Sequence, residues 1–432
     1  MADLARKRNE ELARLLHQLV WSPERLAREV NLMLPPAMAI SSTAPYKWRD
    51  RGMVPRAPHD QTVCEVLSRA AGIAVTYEQL WGRMGSHRGA KVLSPRLLTD
   101  PWTADTAQTA LREAGADAAP VRLTDLFRGD ELERAARHWA SPPPRVTGGE
   151  GALAIAPEQL ADLRRSHDGK QRLERCCGGG LVVGAARSEL AMAGKLLELG
   201  SYAWDERLGR SLYGAAGRLA RLVGWANFDL GNEAAAQRAF VAALRAAHVS
   251  GDLRLGLSVV GCLAVQATHN PVARGLDAVA MLGAALEVAG PRVTPCERAL
   301  QLGRIARAHA RRGERDGAEA AAERAFGELG DDPERPLERA DLAGMVGEAY
   351  LLLGDHGRAR PLLDTAVGGL TAERARARAL LLVRLADSYR QTGEREAAVR
   401  TADQARRLAA GMQSGRVARA LRDLDAELRR AS

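Results

Sequence analysis

Between Ser22 and Pro58 the chain sets out side chains suited to holding nucleic acid. Ser42, Thr43, Tyr46 and Lys47 place hydrogen-bond donors at the start of a short helix. Arg49, Arg51 and Arg56 follow, where guanidinium groups can neutralise phosphates. In a helix-turn-helix the second helix lies in the major groove and its N-terminal half reaches base edges. Trp48, flanked by charges, reads as the buried anchor of that helix rather than a base contact. An ordinary three-helix bundle with solvated arginines would use the same residue types, so these alone leave both readings open.

Other residues that could do chemistry lack their partners. Gly178-Gly179-Gly180-Leu181-Val182-Val183-Gly184 has the look of a phosphate loop but follows a helical pattern, not a strand. It reads as a turn that starts a helix. Gly194-Lys195 lacks the upstream Gly and the following Ser or Thr of a P-loop. The nine histidines, His269 and His309 among them, show no metal-ligand spacing. Cys64, Cys176, Cys177, Cys262 and Cys296 form no paired CxxC motif, so reduced thiols are expected. No nucleophile elbow introduces a Ser-His-Asp set. The expectation is a protein that is not an enzyme, with no cofactor and no metal.

Composition sets the outer limits. A chain of 432 residues exceeds one compact core. The net charge of +9 points toward a polyanionic partner, although the basic residues are nearly all Arg, a skew that base composition also produces. The first twenty residues read as a charged amphipathic helix rather than a signal peptide. No apolar run of membrane-spanning length occurs, so no membrane partner and a cytoplasmic location are expected.

Three regions must position these groups. Residues 1–85 read as a bundle of short helices. Leu12, Leu15, Leu16 and Leu19 share one helical face, and Ser22-Pro23-Glu24 is a strong helix start. A tight connection then leads to a helix from Ser42 to Arg51, with Pro45 in its first turn and Gly52 at its end. Residues 86–150 read as a linker with short helices, ending at SPPPRVTGGEG. Residues 151–432 carry a repeat whose turn residues are Gly231, Asn270, Gly313, Gly354 and Gly393, spaced 39, 43, 41 and 39 apart. That predicts stacked helical hairpins, an α-solenoid, with spacing wider than the ~34 residues of standard tetratricopeptide repeats. The last segment, with Val417, Leu421, Leu424 and Leu428 on one face, reads as a capping helix. The inner face should carry Arg221, Trp225, Asp229, Gln266, Arg307, Glu348, Asp387 and Arg390, mixed charges that suit a peptide or protein segment.

The block KWRDRGMVPRAPHDQTVCEVLSRAAGIAVTYEQLWG resembles the DNA-binding end of a family of actinobacterial transcriptional regulators. In that family a phage-repressor/Cro-like helix-turn-helix precedes tetratricopeptide repeats. Trp48, Gly52, Pro55, Pro58 and the trailing TYEQLWG carry the resemblance at one end. Ala386, Tyr389, Gly393, Ala398, Ala402 and Ala405 carry it in the last repeat. The resemblance implies an all-α protein that binds double-stranded operator DNA, a repressor type among its members, as a homodimer. It also implies a solenoid that dimerises or senses a peptide, protein or small-molecule ligand, as in related peptide-sensing regulators. The rival expectation is a tetratricopeptide adaptor that binds protein and no DNA.

Overall fold

The protein is all-α, in a computed structural model that describes residues 8–33, 39–56, 59–71, 75, 77–81, 96–116, 127, 129–146, 151, 153–201, 205–269, 276–330 and 336–430. Two compact units divide it. One holds Met1–Ser94 with Ala119–Phe127 and His269–Arg274, and the other holds the rest. No helix among the described residues is long and apolar enough to cross a membrane.

The first unit is built from α1 (Glu10–Gln18), α2 (Pro23–Met33), α3 (Ala44–Arg51), α4 (His59–Ala71) and α5 (Tyr77–Trp81). Leucines at helical spacing turn one face of α1 inward, and Leu12, Leu15 and Leu16 join Leu26, Val30, Trp48, Val63, Leu67 and Leu80 in one core. Asn9 ties three helices together. Its Oδ1 caps α1 by accepting from the Leu12 amide at 2.9 Å, its Nδ2 donates to the Leu80 carbonyl at 2.6 Å, and its amide donates to the Arg49 carbonyl at 2.8 Å. Helix α2 is described to Met33 and α3 begins at Ala44, and the connection expected to be tight falls in part on residues 34–38, outside the described residues. Asn31 organises the far end of this connection by exchanging two hydrogen bonds with the Ile40 backbone, at 2.9 and 2.7 Å.

The second unit begins inside the stretch expected as a linker. Three helices, α6 (Arg96–Thr99), α7 (Ala104–Gly115) and α8 (Gly129–Trp139), lead to α9 (Pro157–Cys177) and α10 (Gly179–Leu199). A minimal parallel bridge joins β1 (Leu153–Ala154) to β2 (Gly200–Ser201). Then come α11 (Glu206–Leu230), α12 (Glu233–Ser250), α13 (Leu253–His269), α14 (Ala278–Ala289), α15 (Pro295–Arg311), α16 (Arg315–Leu329), α17 (Pro336–Leu352), α18 (His356–Gly369), α19 (Ala375–Gln391), α20 (Arg395–Ala409) and α21 (Gly415–Arg430).

Helices α7 and α8 are not a loose tether, because they pack on α10, α12 and α14. Arg245 of α12 shows how. Its side chain is 1% exposed, and its guanidinium donates to the carbonyls of Leu97, Asp100 and Pro101 at 2.7, 2.8 and 3.0 Å and to Thr106 Oγ1 at 3.0 Å. The same group lies 4.9 Å from the Trp102 ring centroid. A buried charge needs partners of this kind, and four acceptors supply them. Gly256 lets Trp139 lie flat on α13, since a Cβ there would stand 2.0 Å from the indole.

Each expected repeat turn within the described residues is present. Gly231, Gly313, Gly354 and Gly393 take left-handed φ of 87°, 76°, 74° and 81°, the conformation in which glycine ends a helix without strain. Asn270 lies outside the described residues. Within hairpins, α11 packs on α12, α15 on α16, α17 on α18 and α19 on α20. Between hairpins the first helices follow one another. Leu255 of α13 reaches Gly217 of α11, Gln301 and Arg304 of α15 reach Gly261 of α13, and α17 lies between α15 and α19.

The series then returns on itself. Helix α9 contacts both α11 and α19, and α21 contacts α11, α19 and α20. Val417 and Leu424 of α21 are buried there, so this helix does more than cap the last hairpin: it joins the last to an early one. The glycine run is the closing contact. Gly178, at φ 96°, ends α9, and a Cβ on it would stand 2.6 Å from the Gln413 carbonyl oxygen.

Candidate functional site

Helix α3 buries Pro45 and Trp48, and the Trp48 ring meets Trp81 edge to face at 6.2 Å. The opposite side of the helix therefore faces water. Ser42, Thr43, Lys47, Arg51 and Arg56 are exposed, and Lys47 and Arg51 stand one turn apart. Thr43 occupies the N-cap position, but its side chain makes no capping bond and instead lies 3.1 Å from Ser41 Oγ. These hydroxyls and charges are available to a partner.

Two of the seven expected DNA-contact residues are already engaged. The Tyr46 hydroxyl donates to Glu24 Oε1 at 2.5 Å, which holds the Glu24 carboxyl below the usual range and raises the phenol above it. The Arg49 guanidinium grips Asp50 through two bonds, at 2.7 and 2.9 Å, and lies 5.0 Å from the Tyr46 ring centroid. The outer face of α3 is thus mixed in charge, with Glu24 and Asp50 among the bases. Asp50 was legible beside Arg49 in the sequence; Glu24 lies on α2 and was not.

The second candidate site lies among the first helices of the hairpins. Asp229 is fully buried. Its Oδ2 accepts from the Gly179 amide at 2.9 Å, and its Oδ1 accepts from Ser414 Oγ at 2.8 Å and from Arg376 at 3.4 Å. Arg376 also pairs with Glu174 at 2.8 Å. Burial pushes the Glu174 carboxyl up, against the pull of Arg376. Arg307 and Arg384 share Glu348, at 2.9 and 3.3 Å, and Arg374 pairs with Asp341 at 3.2 Å. Trp225 and Phe228 stack beside Arg416, whose guanidinium is 4.7 Å from the Phe228 ring centroid. Burial, with Arg376 nearby, lowers the Arg416 pKa to about 10.

No family model, curated protein or solved structure matches the chain. The geometry must therefore carry the reading by itself.

Of the eight residues expected on the inner face, Asp229, Arg307 and Glu348 join this ion-pair network, and Trp225 and Arg221 lie against it. Gln266 does not. Its Nε2 donates to the Glu233 carbonyl at 2.9 Å and carboxylate at 2.6 Å, which fastens α13 to α12. Asp387 and Arg390 bind each other at 2.8 Å. The carboxylates Asp229, Glu348 and Asp387 are thus paired with neighbouring guanidiniums. Residues that the spacing did not single out are the rest of the cluster: Glu174, Arg175, Arg304, Asp341, Arg374, Arg376 and Arg416. Arg304, Asp341 and Arg376 lie on first helices of hairpins while Glu174, Arg175, Arg374 and Arg416 do not, so no shared spacing marks the set.

The glycine run at 178–180 holds no phosphate site. The N-terminal amide of α10 that would face a phosphate is already bonded to Asp229. Cys176 and Cys177 are half-buried free thiols, and burial is the first cause that raises the Cys177 pKa. That disfavours the thiolate a redox sensor uses.

Proposed function

We propose that the chain is a DNA-binding transcriptional regulator, acting as a homodimer in the cytoplasm, whose helical-repeat unit senses a small ligand. One observation carries the DNA half of this reading. Helix α3 is anchored by buried Trp48 and leaves Ser42, Thr43, Lys47 and Arg51 exposed, with hydroxyls at its start and bases beyond them. A recognition helix needs that combination of rigidity, base-reaching donors and phosphate contacts. The series of hairpins, read as a solenoid, would be the sensing part. A ligand changes DNA affinity only through different affinities for the two arrangements of the protein.

The test is binding to genomic DNA fragments over a salt series with competitor DNA. Sequence-preferring binding that weakens steeply with salt is expected, and Lys47→Ala and Arg51→Ala should each lower the salt slope by about one. Binding unaltered by both variants would remove α3 from the interface.

The rival reading, an adaptor that docks protein through the first unit, draws on one observation. Glu24 and Asp50 place carboxylates among the bases of that face. Charge-mixed faces suit protein partners better than a duplex. Absence of any DNA preference would favour it.

A further inference from the structure

A pocket of about 230 Å³ opens between α9 and α11. Leu163, Arg164, His167 and Asp168 line it from the first helix, Ala215 and Arg218 from the second. Its volume is below the roughly 300–1,000 Å³ of pockets that take drug-sized ligands, so it suits a smaller metabolite. Leu163 and Ala215 are buried and give it an apolar wall.

Two of its polar groups are held from behind. His167 is 5% exposed, and its Nδ1 lies 3.0 Å from Asp168 Oδ1. A carboxylate only accepts, so the ring proton sits on Nδ1 and donates to Asp168. Asp252 caps α13 by accepting from the Leu255 amide at 3.0 Å, and its other oxygen accepts from Arg218 at 2.6 Å.

Other valences are unspent. Among the described residues Arg164 has no carboxylate within 4.0 Å, and Asp168 Oδ2 accepts no hydrogen bond. Arg164 and Asp168 stand at i and i+4 on α9, a spacing that can close into an ion pair, as Arg165 does at i−3 with Asp162. Base before acid is the weaker order for such a pair, and here both charges remain at the pocket. The Nε2 of His167 is buried without a partner, a cost that stability alone does not explain.

We propose that this pocket binds a free α-amino acid, with its carboxylate on Arg164 beside Arg218 and its ammonium on Asp168. The charges select the class. Asp252 already balances Arg218, so Arg164 and Asp168 present one charge of each sign. A phosphate or dicarboxylate would meet Asp168 as a like charge, and a simple amine would meet Arg164. A zwitterion whose two charges flank one carbon satisfies both. As the ligand that the repeat unit senses, the amino acid rests on the function proposed above; as a binding site it stands on the pocket alone.

The experiment is thermal melting of the full chain with each standard α-amino acid in turn, followed by calorimetric titration of those that act. At least one should raise Tm saturably. Its deaminated acid and its decarboxylated amine should each bind about tenfold more weakly or worse, the loss of one charge-assisted partner. Arg164→Gln and Asp168→Asn should each weaken binding of the amino acid about tenfold, and both side chains are exposed, so folding is not at stake. Asp168→Asn should also narrow the preference for the amino acid over its deaminated acid. His167→Gln, which removes the positioning residue behind Asp168, should narrow it too, a change that lost packing alone does not produce. No shift with any amino acid, equal binding of the deaminated acid, or binding that survives in both Arg164→Gln and Asp168→Asn overturns the proposal. No DNA enters these readouts, so their failure and that of the DNA reading are told apart.

Discussion

The amide of Gly180 donates to the carbonyl of Gln413 at 2.9 Å, and the Gln413 amide donates to the Cys177 carbonyl at 2.8 Å. Backbone bonds thus join the second hairpin helix of the series, α10, to the connection before α21. Such contact requires that nothing project from the turn. A Cβ on Gly179 would stand 2.5 Å from the Ala226 carbonyl oxygen, whereas one on Gly184 meets nothing within 4 Å.

Two substitutions on α10 should therefore move in opposite directions. Gly179→Ala is expected to lose about 1–3 kcal/mol through overpacking, although Ala is the better helix former. Gly184→Ala should gain roughly 0.5–1 kcal/mol from helix propensity. Urea unfolding midpoints compare them, and equal signs for the two would refute a close approach at Gly179.

Asp229 clamps the same junction from inside, accepting from Gly179, Ser414 and Arg376. Asp229→Ala leaves Arg376 with one of its two carboxylates and two donors without an acceptor. A loss of about 3–5 kcal/mol is expected, the cost of breaking a buried pair. A double-mutant cycle with Ser414→Ala should show coupling of about 0.5–3 kcal/mol. Additivity of the two variants would mean that Asp229 does not hold α21.

What the sequence made legible, and what it hid, divide along the chain distance over which each contact acts. Gly231, Gly313, Gly354 and Gly393 were readable because a left-handed helix end is a local demand that glycine meets. Trp48 was readable because an aromatic between charges on a short helix has one face to bury. The Arg376–Glu174 pair spans 202 residues and the Gly180–Gln413 contact 233, and no local pattern announces either. For the same reason the glycine run was readable as a turn that starts a helix, but not as the place that admits another backbone. Short helices were expected within residues 86–150, but not their packing, because what holds them, Arg245, sits on α12 and bonds to carbonyls, which carry no side-chain signature.

Acid should weaken the second unit through His248. This imidazole lies beside Trp102 with ring centroids 5.6 Å apart, and burial is the main cause that depresses its pKa below the ordinary 6.5. His138 and Arg245 act in the same direction, while the Trp139 carbonyl at 3.2 Å opposes them. A group whose folded pKa is depressed binds protons more readily in the unfolded chain. Its contribution is complete above pH 6.5 and is lost as pH falls through the folded value. Tm should thus stay level above that pH and decline below it. His167, also depressed by burial, adds to the slope, so His248→Gln should flatten the decline without abolishing it. An unchanged slope in His248→Gln would show that the acid sensitivity arises elsewhere.

Val20, between α1 and α2, has φ of 54° and is 86% exposed. A β-branched residue there has the strain of the left-handed region with almost no burial to offset it. Val20→Gly should stabilise the first unit by about 1 kcal/mol, and Val20→Ala by much less, since Ala keeps its Cβ. Calorimetry of the three proteins checks this, and an equal gain from Ala would point to relief of surface exposure rather than backbone strain.

Glu24 gives the sharpest handle on what the first unit binds. It holds Tyr46 through a 2.5 Å bond and sets a negative charge near Arg49. If α3 meets a duplex, that carboxylate opposes the phosphates, and Glu24→Gln keeps an acceptor for the Tyr46 hydroxyl while removing the charge. DNA affinity should then rise roughly two- to fivefold at low salt, the scale of one exposed charge interaction, and the gain should shrink as salt screens it. Should the face instead receive a protein, Glu24→Gln leaves DNA binding absent and weakens capture of a basic partner. Titrating wild type and variant with the same DNA fragment at two salt concentrations separates these outcomes, and a salt-independent change would assign Glu24 to the shape of the helix pair, not to the charge of its face.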